Sequence, residues 1–268
     1  LALKVRHFEY NILDRIIFAL KLFFRRSFQL NRTSNDIRNF ENLHKNDKCF
    51  IVATGPSLTI HDLELIKDEI TFGMNSLCKA FPKLGWETTY FGVQDYEVYG
   101  KLEKDILNLK TSTVFLADIL KKRFDLKNTF IQYPLNLLNH NLHYSEPYNT
   151  KFSNNAYEVV YDGYTITYSL IQLAIYMGFK DIYLIGADTN YSKDISKRNF
   201  VNIGKVDKTY DTAGDRIRYA YGVANNYIKT RGVNIYNATR GGALEIFPRV
   251  NLDKLDFLKT NGSANKDE

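Results

Sequence analysis

The hydrophobic positions along the chain fall into short apolar runs that alternate with segments of helical spacing. The runs predict strands at residues 49–53, 69–75, 87–93, 182–187 and 233–237, with shorter strand candidates at 113–116 and 129–132. Helical spacing occupies residues 97–109, 164–178 and 211–231. Because strands that alternate with helices are typical of βαβ units, the pattern predicts an α/β fold with a mostly parallel sheet flanked by helices.

Several predicted strands end in small or polar residues. Thr54-Gly55-Pro56-Ser57 follows the first strand, Asn75 ends the second, Gln94 and Asp95 follow the third, and Asp188 follows the central strand. Ligands of open parallel sheets bind beyond the carboxyl ends of the strands, where a glycine lets backbone amides approach an anion. The first turn matches neither Gly-x-Gly-x-x-Gly nor the P-loop pattern, so an ordinary strand-to-helix turn remains the alternative. Asp188 either caps a turn or contacts a polar ligand.

Two long polar segments interrupt the pattern. Residues 133–162 and 193–210 are predicted as lids or binding insertions, because polar segments of this length are uncommon as simple connections. His140 and His143 lie in the first segment without a carboxylate motif beside them, which favours surface residues over metal ligands. A flexible turn after the last strand, residues 238–242, suits an anion or a sugar.

The first 45 residues combine an apolar face with positive charge. They contain nine basic and four acidic residues, so they carry nearly all of the net +6 charge of the chain. The charge is therefore local, and no nucleic-acid partner is predicted. The apolar stretch is too short and too charged to span a bilayer, so it is expected to lie on a membrane surface or to pack on the domain or another subunit. The apolar face is formed by residues that recur at three- and four-residue spacing, namely Ile12, Leu13, Ile16, Ile17, Leu20, Phe23 and Phe24.

Composition and length indicate one large globular domain with appendages. The chain has 268 residues, of which 44% are hydrophobic, and this excludes a disordered protein. Its two cysteines, Cys49 and Cys78, lack metal-ligand spacing, so neither a disulfide framework nor a zinc site is predicted and a cytoplasmic protein is expected. The predicted organisation is a basic helix and linker at 1–46, an α/β domain at 47–258 and a polar tail at 259–268, with residues 31–46 as the linker.

Four fragments taken together resemble known families. They resemble the MptE-like family of bacterial surface-polysaccharide gene sets and, more remotely, glycosyltransferase family 42, the bacterial sialyltransferases. The resemblance covers about residues 48–250, and its fragments are residues 53–58, residues 73–76, residues 177–188 with Tyr191, and residues 235–242.

The sialyltransferase resemblance implies a single Rossmann-like domain, a GT-A-like variant with a lid, that uses a CMP-sugar donor and inverts the anomeric carbon without a metal or other cofactor. It implies that the first turn lies beside the donor, that Asn75 contacts the nucleotide, that Asp188 lies near the ribose and cytosine, and that Tyr191 lies near the phosphate. The complete predicted donor site comprises Thr54, Gly55, Pro56, Ser57, Asn75, Gln94, Asp95, Gly186, Asp188, Thr239 and Gly241.

Two departures from the sialyltransferase pattern concern the base and the donor. That family uses a histidine as general base ahead of its last long helix, whereas no histidine follows His143 here. The corresponding place falls near Asp215, which is the first candidate for the base, with Tyr210 or Asp211 as the second. A surface aspartate in the first turn of a helix is the alternative for Asp215. Thr54 also replaces the family's asparagine, which leaves the donor open.

Three functional interpretations follow. The first is a glycosyltransferase on the inner face of the cell membrane that adds a nonulosonate-type or other CMP-linked sugar to a surface glycan. The second is a pyrophosphokinase, as in the archaeal members that name the MptE-like family, with Asp95 and Asp188 holding Mg²⁺. The third is a non-catalytic subunit that binds a nucleotide sugar, and a homo-oligomer is left open. Because the chain contains no Asp-x-Asp, the first interpretation predicts metal-independent chemistry.

Overall fold

A seven-stranded parallel sheet forms the centre of the protein. The computed structural model describes residues 16–25, 27, 36–138, 140, 148–190, 199–204 and 210–258. The strands are β1 (Lys48–Val52), β2 (Thr71–Met74), β3 (Tyr90–Val93), β4 (Thr113–Ala117), β5 (Ile131–Tyr133), β8 (Asp181–Ile185) and β9 (Asn234–Asn237). Their order in the sheet is β5-β4-β3-β2-β1-β8-β9, and every pair is parallel. This confirms the predicted α/β, Rossmann-like fold.

Helices cover both faces of the sheet. Successive side chains of each strand point to opposite faces, and because both sets are apolar, both faces must be buried. In β1, Cys49 and Ile51 belong to one core cluster, whereas Phe50 and Val52 belong to the other. The first cluster lies under α5 (Ile166–Tyr176) and α6 (Tyr210–Ile228). The second lies under α2 (Ile60–Leu65), α3 (Phe81–Leu84) and α4 (Tyr96–Leu107), and one further helix, α1 (residues 16–25), lies outside both clusters.

The long helix predicted at 164–178 is α5, and it is buried around almost its whole circumference. Thr165 caps its first turn by accepting from the backbone N–H of Thr167, and the chain turns away at Gly178 with φ +94°. In the part of 133–162 that the structure describes, two short strands pair in parallel, β6 (Leu135–Asn136) and β7 (Val160–Tyr161). This segment is therefore partly ordered by its own small sheet.

The prediction of a linker at 31–46 is wrong for the residues that the structure describes. Residues 36–46 pack on the carboxyl end of α5, where backbone N–H groups of Asn42, His44 and Asn46 donate to the carbonyls of residues 176–178 at 2.8–3.1 Å. Ile37 is buried in the sheet core, and Phe40 packs edge-on against Phe115. Polar composition misled the prediction because these backbone groups satisfy the last carbonyls of a helix.

The central strand β8 ends earlier than predicted. It stops at Ile185 because Gly186 turns the backbone to φ +63°, so Asp188 follows the strand at a distance of three residues. A side chain at Gly186 would collide with the carbonyl oxygen of Ala53 in the neighbouring turn. The two turns after β1 and β8 therefore pack directly on each other.

Candidate functional site

A cleft opens where the strand order reverses. From β1 the chain continues to β2 on one side, while β8 lies on the other side, and the cleft lies beyond the carboxyl ends of these three strands. It encloses about 130 Å³. Its lining comprises Ala53, Thr54, Gly55, Pro56, Met74, Asn75, Thr165, Thr167, Gly186, Ala187, Asp188, Thr189, Asn190, Asn199, Ile217 and Tyr221.

Asp188 is the carboxylate of this cleft. It is 6% exposed, and its Oδ2 accepts from the Ser57 hydroxyl at 2.9 Å and from the Ser57 backbone N–H at 3.3 Å. Burial raises the pKa of Asp188 above its ordinary value, although both hydrogen bonds from Ser57 act in the opposite direction. The turn after β1 therefore fixes the orientation of the carboxylate.

Two glycines allow the backbone to close around Asp188. A Cβ atom on Gly55 would lie 2.0 Å from Asp188 Oδ2, and one on Gly242 would lie 2.4 Å from the Asp188 carbonyl oxygen. Gly242 also has φ +77°, a conformation that side chains disfavour. Glycine is thus required on both sides of Asp188 for this geometry.

Thr189 is strained and carries an unpaired hydroxyl. Its φ is +55°, an outlier for a β-branched residue, and its carbonyl accepts from Arg218 at 2.9 Å. A Cβ atom on Gly214 would lie 2.4 Å from this carbonyl, so α6 holds the strained residue closely. The Thr189 hydroxyl is buried and has no hydrogen-bond partner among the described residues. Strain and an unpaired polar group together indicate a functional position.

Two further elements bring polar groups to the cleft. Asn75 follows β2 with φ +49°, a left-handed conformation that asparagine tolerates better than most residues. The amino end of α5 contributes Thr165 and Thr167 to the lining. A helix amino end favours anions because its first N–H groups have no partner within the helix.

Part of the second polar segment packs over the turn after β1. The backbone N–H of Phe200 donates to the Thr54 carbonyl at 2.9 Å, and Asn199 lines the cleft. Lys101 of α4 donates to the Gly204 carbonyl at 2.9 Å. Two hydrogen bonds thus hold the described residues 199–204 beside the turn after β1, and Asn199 is their contribution to the lining of the cleft.

The structure brings most of the predicted donor residues together. Thr54, Gly55, Pro56, Asn75, Gly186 and Asp188 all line the cleft, and Ser57 holds Asp188. Thr239 does not line the cleft. Its hydroxyl accepts from the Ala187 backbone N–H at 3.0 Å and so holds the loop after β8 in place. Gly241 is also outside the lining, and its carbonyl accepts from Arg249.

Gln94 and Asp95 lie outside the lining as well. The Gln94 amide donates to Asp162 at 3.1 Å and accepts from Ser169 at 2.7 Å. Asp95 caps α4, with Oδ1 accepting from two backbone N–H groups at 2.9 Å. Among the described residues no three His, Cys, Asp or Glu side chains form a group suited to a metal. Of the two carboxylates that the pyrophosphokinase interpretation assigns to Mg²⁺, Asp188 lines the cleft, whereas Asp95 lies outside its lining and accepts from N–H groups of its own helix.

The candidates for the base do not line the cleft. Asp215 lies on the outer face of α6 with its side chain 60% exposed, and it forms an ion pair with Arg218. Tyr210 and Asp211 begin the same helix, and neither belongs to the lining. Tyr191 lies outside the described residues. The assignment of the base stays a prediction, and the exposed position of Asp215 agrees with the alternative of a helix-terminal surface aspartate.

His140 is buried, so the prediction of a surface histidine is wrong for this residue. Its Nδ1 lies 2.9 Å from Asp162 Oδ2, its Nε2 lies 2.6 Å from the Asn149 carbonyl, and its ring stacks on Tyr164. Both ring nitrogens therefore contact acceptors within the domain, and His140 lies outside the lining of the cleft. His140 thus links two parts of the first polar segment, while His143 lies outside the described residues.

Sequence reasoning missed several residues of the cleft. The amino end of α5 and the apolar wall from α6, formed by Ile217 and Tyr221, come from elements that were predicted only as packing helices. The one sequence signal for these residues was the presence of two threonines, Thr165 and Thr167, at the start of an otherwise apolar helix. Thr189 and Asn190 were visible as polar residues after the central strand, but their conformation was not.

Comparisons with known proteins agree with this architecture. Residues 24–194, more than half of the chain, match the family model described as "6-hydroxymethylpterin diphosphokinase MptE-like". No curated protein matches the sequence. Among solved structures, the MAf glycosyltransferase from Magnetospirillum magneticum AMB-1 is similar, with a TM-score of 0.51 and 15% identity over 84% of this chain.

The chain spans 38% of the length of the MAf glycosyltransferase, and at this identity the likeness concerns the fold. The family match includes β1, β2, α5, β8 and the turns that hold Asp188. On the extent of that match, the chain belongs to the MptE-like family.

Proposed function

We propose that the protein is a glycosyltransferase that takes a sugar from a nucleotide donor, with a CMP-linked sugar of the sialic-acid or nonulosonate type as the preferred donor. The observation that carries the proposal is the buried Asp188, fixed by Ser57 beyond the central strands of the sheet. A carboxylate held in this way accepts hydrogen bonds from ribose hydroxyls or from the cytosine amino group. The glycosyltransferase-like fold supports the same reading.

The other cleft residues suit the remaining parts of such a donor. The amino end of α5 lines the cleft with Thr165 and Thr167, and a helix amino end favours the negative charge of the phosphate. The Thr189 hydroxyl, which has no partner among the described residues, offers a hydrogen bond to a bound donor. Asn75 reads polar edges of the nucleoside.

In the proposed reaction, an acceptor hydroxyl oxygen attacks the anomeric carbon from the face opposite the phosphate. The bond between the anomeric carbon and the phosphate oxygen breaks, the nucleotide leaves with the electron pair, and a base takes the hydroxyl proton. Asp215, with Tyr210 or Asp211 next, remains the proposed base, and Tyr191 the proposed phosphate contact. The proposed acceptor is a bacterial surface glycan, and the proposed site of action is the cytoplasmic face of the membrane.

The family description favours one alternative, the transfer of diphosphate from ATP to a pterin alcohol. It requires ATP with Mg²⁺, whereas the proposed transfer requires neither. A non-catalytic subunit would bind the nucleotide sugar without turning it over. Ligand binding and turnover therefore separate the three functions.

The test is a thermal-shift screen of the full chain with CMP, UDP, GDP and ATP, each with and without Mg²⁺. A ligand at a hundred times its dissociation constant stabilises by about 2.7 kcal/mol, which raises the Tm by about 2–4 °C for a chain of this size. We expect CMP to stabilise without Mg²⁺. Stabilisation by ATP with Mg²⁺ alone would replace the proposal with the diphosphokinase.

Two variants locate the binding site and the base. Asp188→Asn should weaken CMP binding by about 1.5–3 kcal/mol in calorimetry, because a charge-assisted hydrogen bond is lost. Asp215→Asn is the matched control and should bind CMP normally, since Asp215 lies outside the lining. If Asp215 is the base, its variant lowers turnover by about 10²–10⁴. Normal CMP binding by Asp188→Asn would refute the donor site, and wild-type turnover by Asp215→Asn would refute the base.

A further inference from the structure

Helix α1 presents an apolar face to solvent. Its residues Ile16, Ile17, Leu20, Phe23 and Phe24 are 42–60% exposed, although all five are large and hydrophobic. Helical geometry places them on one side of α1, within an arc of about 120°. We call these five residues the α1 stripe. Five neighbouring apolar side chains on a surface helix indicate a binding surface, whereas scattered single ones do not.

The opposite side of α1 contacts the domain. The Arg25 guanidinium donates to the carbonyls of Tyr157 and Glu158 at 3.3 Å and lies 3.6 Å from Asp118 Oδ2. The Tyr157 hydroxyl donates back to the Arg25 carbonyl, and the Phe18 ring lies 6.5 Å from that of Tyr161. Because these contacts fix which side faces the domain, the α1 stripe points away from it.

Charge indicates what covers the α1 stripe. Lys21 is exposed within the helix, and residues 1–35 of the sequence, which precede the segment packed on α5, include seven basic and two acidic residues. A second copy of the chain would bring the same positive charge to the interface, and the two would repel. An anionic lipid surface would instead attract it, and apolar side chains would enter the acyl boundary.

We propose that α1 binds the protein to an anionic membrane surface through the α1 stripe. Asp118, one of the groups that holds Arg25, directly follows the carboxyl end of β4. The anchor thus lies at the edge of the sheet where the strands end, which is also the edge that carries the cleft. If the proposed transfer holds, this position suits an acceptor carried by the membrane, but the binding itself does not depend on that function.

The test is sedimentation of the full chain with vesicles of phosphatidylcholine, alone or with about 30% phosphatidylglycerol. We expect binding to the anionic vesicles only, and salt should weaken it because exposed charges are screened. Leu20→Gln and Phe23→Gln should each weaken vesicle binding by about tenfold, since each replaces an apolar side chain that the lipid would bury. Lys21→Gln should weaken it by about fivefold, and only on anionic vesicles.

Leu43→Gln is the matched control, because Leu43 is 55% exposed but lies outside α1. This variant should bind vesicles like the wild type, and all four variants should keep the wild-type Tm. Absence of wild-type binding at low salt, or equal binding by the stripe variants, would overturn the proposal. Light scattering that shows a dimer lost in Phe23→Gln, without vesicle binding, would assign the stripe to a second copy instead.

Discussion

Burial of Asp188 serves ligand binding but lowers the stability of the fold. A charged carboxylate inside the cleft can bind a polar ligand, yet its removal from water costs free energy of folding. Its native pKa is raised by burial, so the folded chain binds a proton at Asp188 more tightly than the unfolded chain does. Stability from this group is therefore greatest at low pH. This contribution to stability falls as pH rises from the unfolded to the native pKa of Asp188. At neutral pH the full cost of burying the charged carboxylate remains.

We expect Asp188→Asn to raise the Tm at pH 7 while it weakens ligand binding. The asparagine oxygen can accept the same bonds from Ser57 without the cost of a buried charge. Thermal unfolding of both proteins between pH 3 and pH 7 measures this, and the gain should shrink toward low pH. A variant that is less stable at pH 7 would assign Asp188 to the fold instead of to a ligand.

Asp253 offers a control of opposite sign. Its hydrogen bonds with Arg240, and then with His61, lower the pKa of this carboxyl to about 2. Its stabilisation is present above the unfolded pKa and is lost as pH falls through the native value. Asp253→Asn should therefore lower the Tm at pH 7, and the difference from the wild type should vanish toward pH 2.

Thr189 provides a second test at the scale of one residue. Thr189→Val keeps the shape and the strain but removes a buried hydroxyl that has no partner in the part of the chain that the structure describes. We expect the free protein to gain about 1 kcal/mol, because an unsatisfied polar group disappears, and nucleotide affinity to fall by about 3–10-fold. Calorimetry and thermal unfolding measure the two effects separately.

Thr88→Val is the matched control for Thr189. Thr88 is fully buried, and its hydroxyl also lacks a partner among the described residues, but it does not line the cleft. Its replacement should stabilise the protein in the same way and leave nucleotide binding unchanged. Equal losses of affinity in the two variants would show that the effect does not depend on contact with the ligand.

At the scale of the element, α5 depends on residues distant in sequence. Its carboxyl end is capped by residues 42–46, and the adjoining Ile37 and Phe40 enter the core around the sheet. His44 also stacks on Phe179 and bonds to the Tyr90 hydroxyl. The stretch from 36 to 46 is thus part of the domain, whereas α1 attaches to it through a few contacts around Arg25.

Two truncations should therefore behave differently. Removal of residues 1–35 should change the Tm little and abolish vesicle binding. Removal of residues 1–46 should cost about 3 kcal/mol or more of unfolding free energy, because core side chains and three capping hydrogen bonds are lost together. Denaturant unfolding compares the two, and equal stability would restore the linker interpretation of 36–46.

At the scale of the whole molecule, the strand order sets where chemistry can take place. The reversal between β1 and β8 brings the turns after both strands into contact, and α5 adds its amino end to the same place. The anchor of α1 also lies at this edge of the sheet. The chain covers 38% of the MAf glycosyltransferase, and the likeness between the two is one of fold.

The sequence alone determined the α/β class, the main strands and helices, and the strand-end residues that line the cleft. Periodicity and turn residues are local, so they report strands, helices and their ends directly. A carboxylate soon after a continuous apolar run was enough to make Asp188 a candidate, because a core position seldom tolerates a carboxylate without a partner.

Only the tertiary structure decided which of these residues meet. From composition, residues 36–46 were predicted as a linker and His140 as a surface residue. Residues 36–46 are instead held by the carboxyl end of α5, far away in sequence, and His140 is held by Asp162 and Asn149 after its segment folds back on itself. The strain at Thr189 and the exposed position of Asp215 likewise depend on how α6 packs against the loop after β8. Long-range packing fixes these side chains, and a pattern of neighbouring residues carries no information about it.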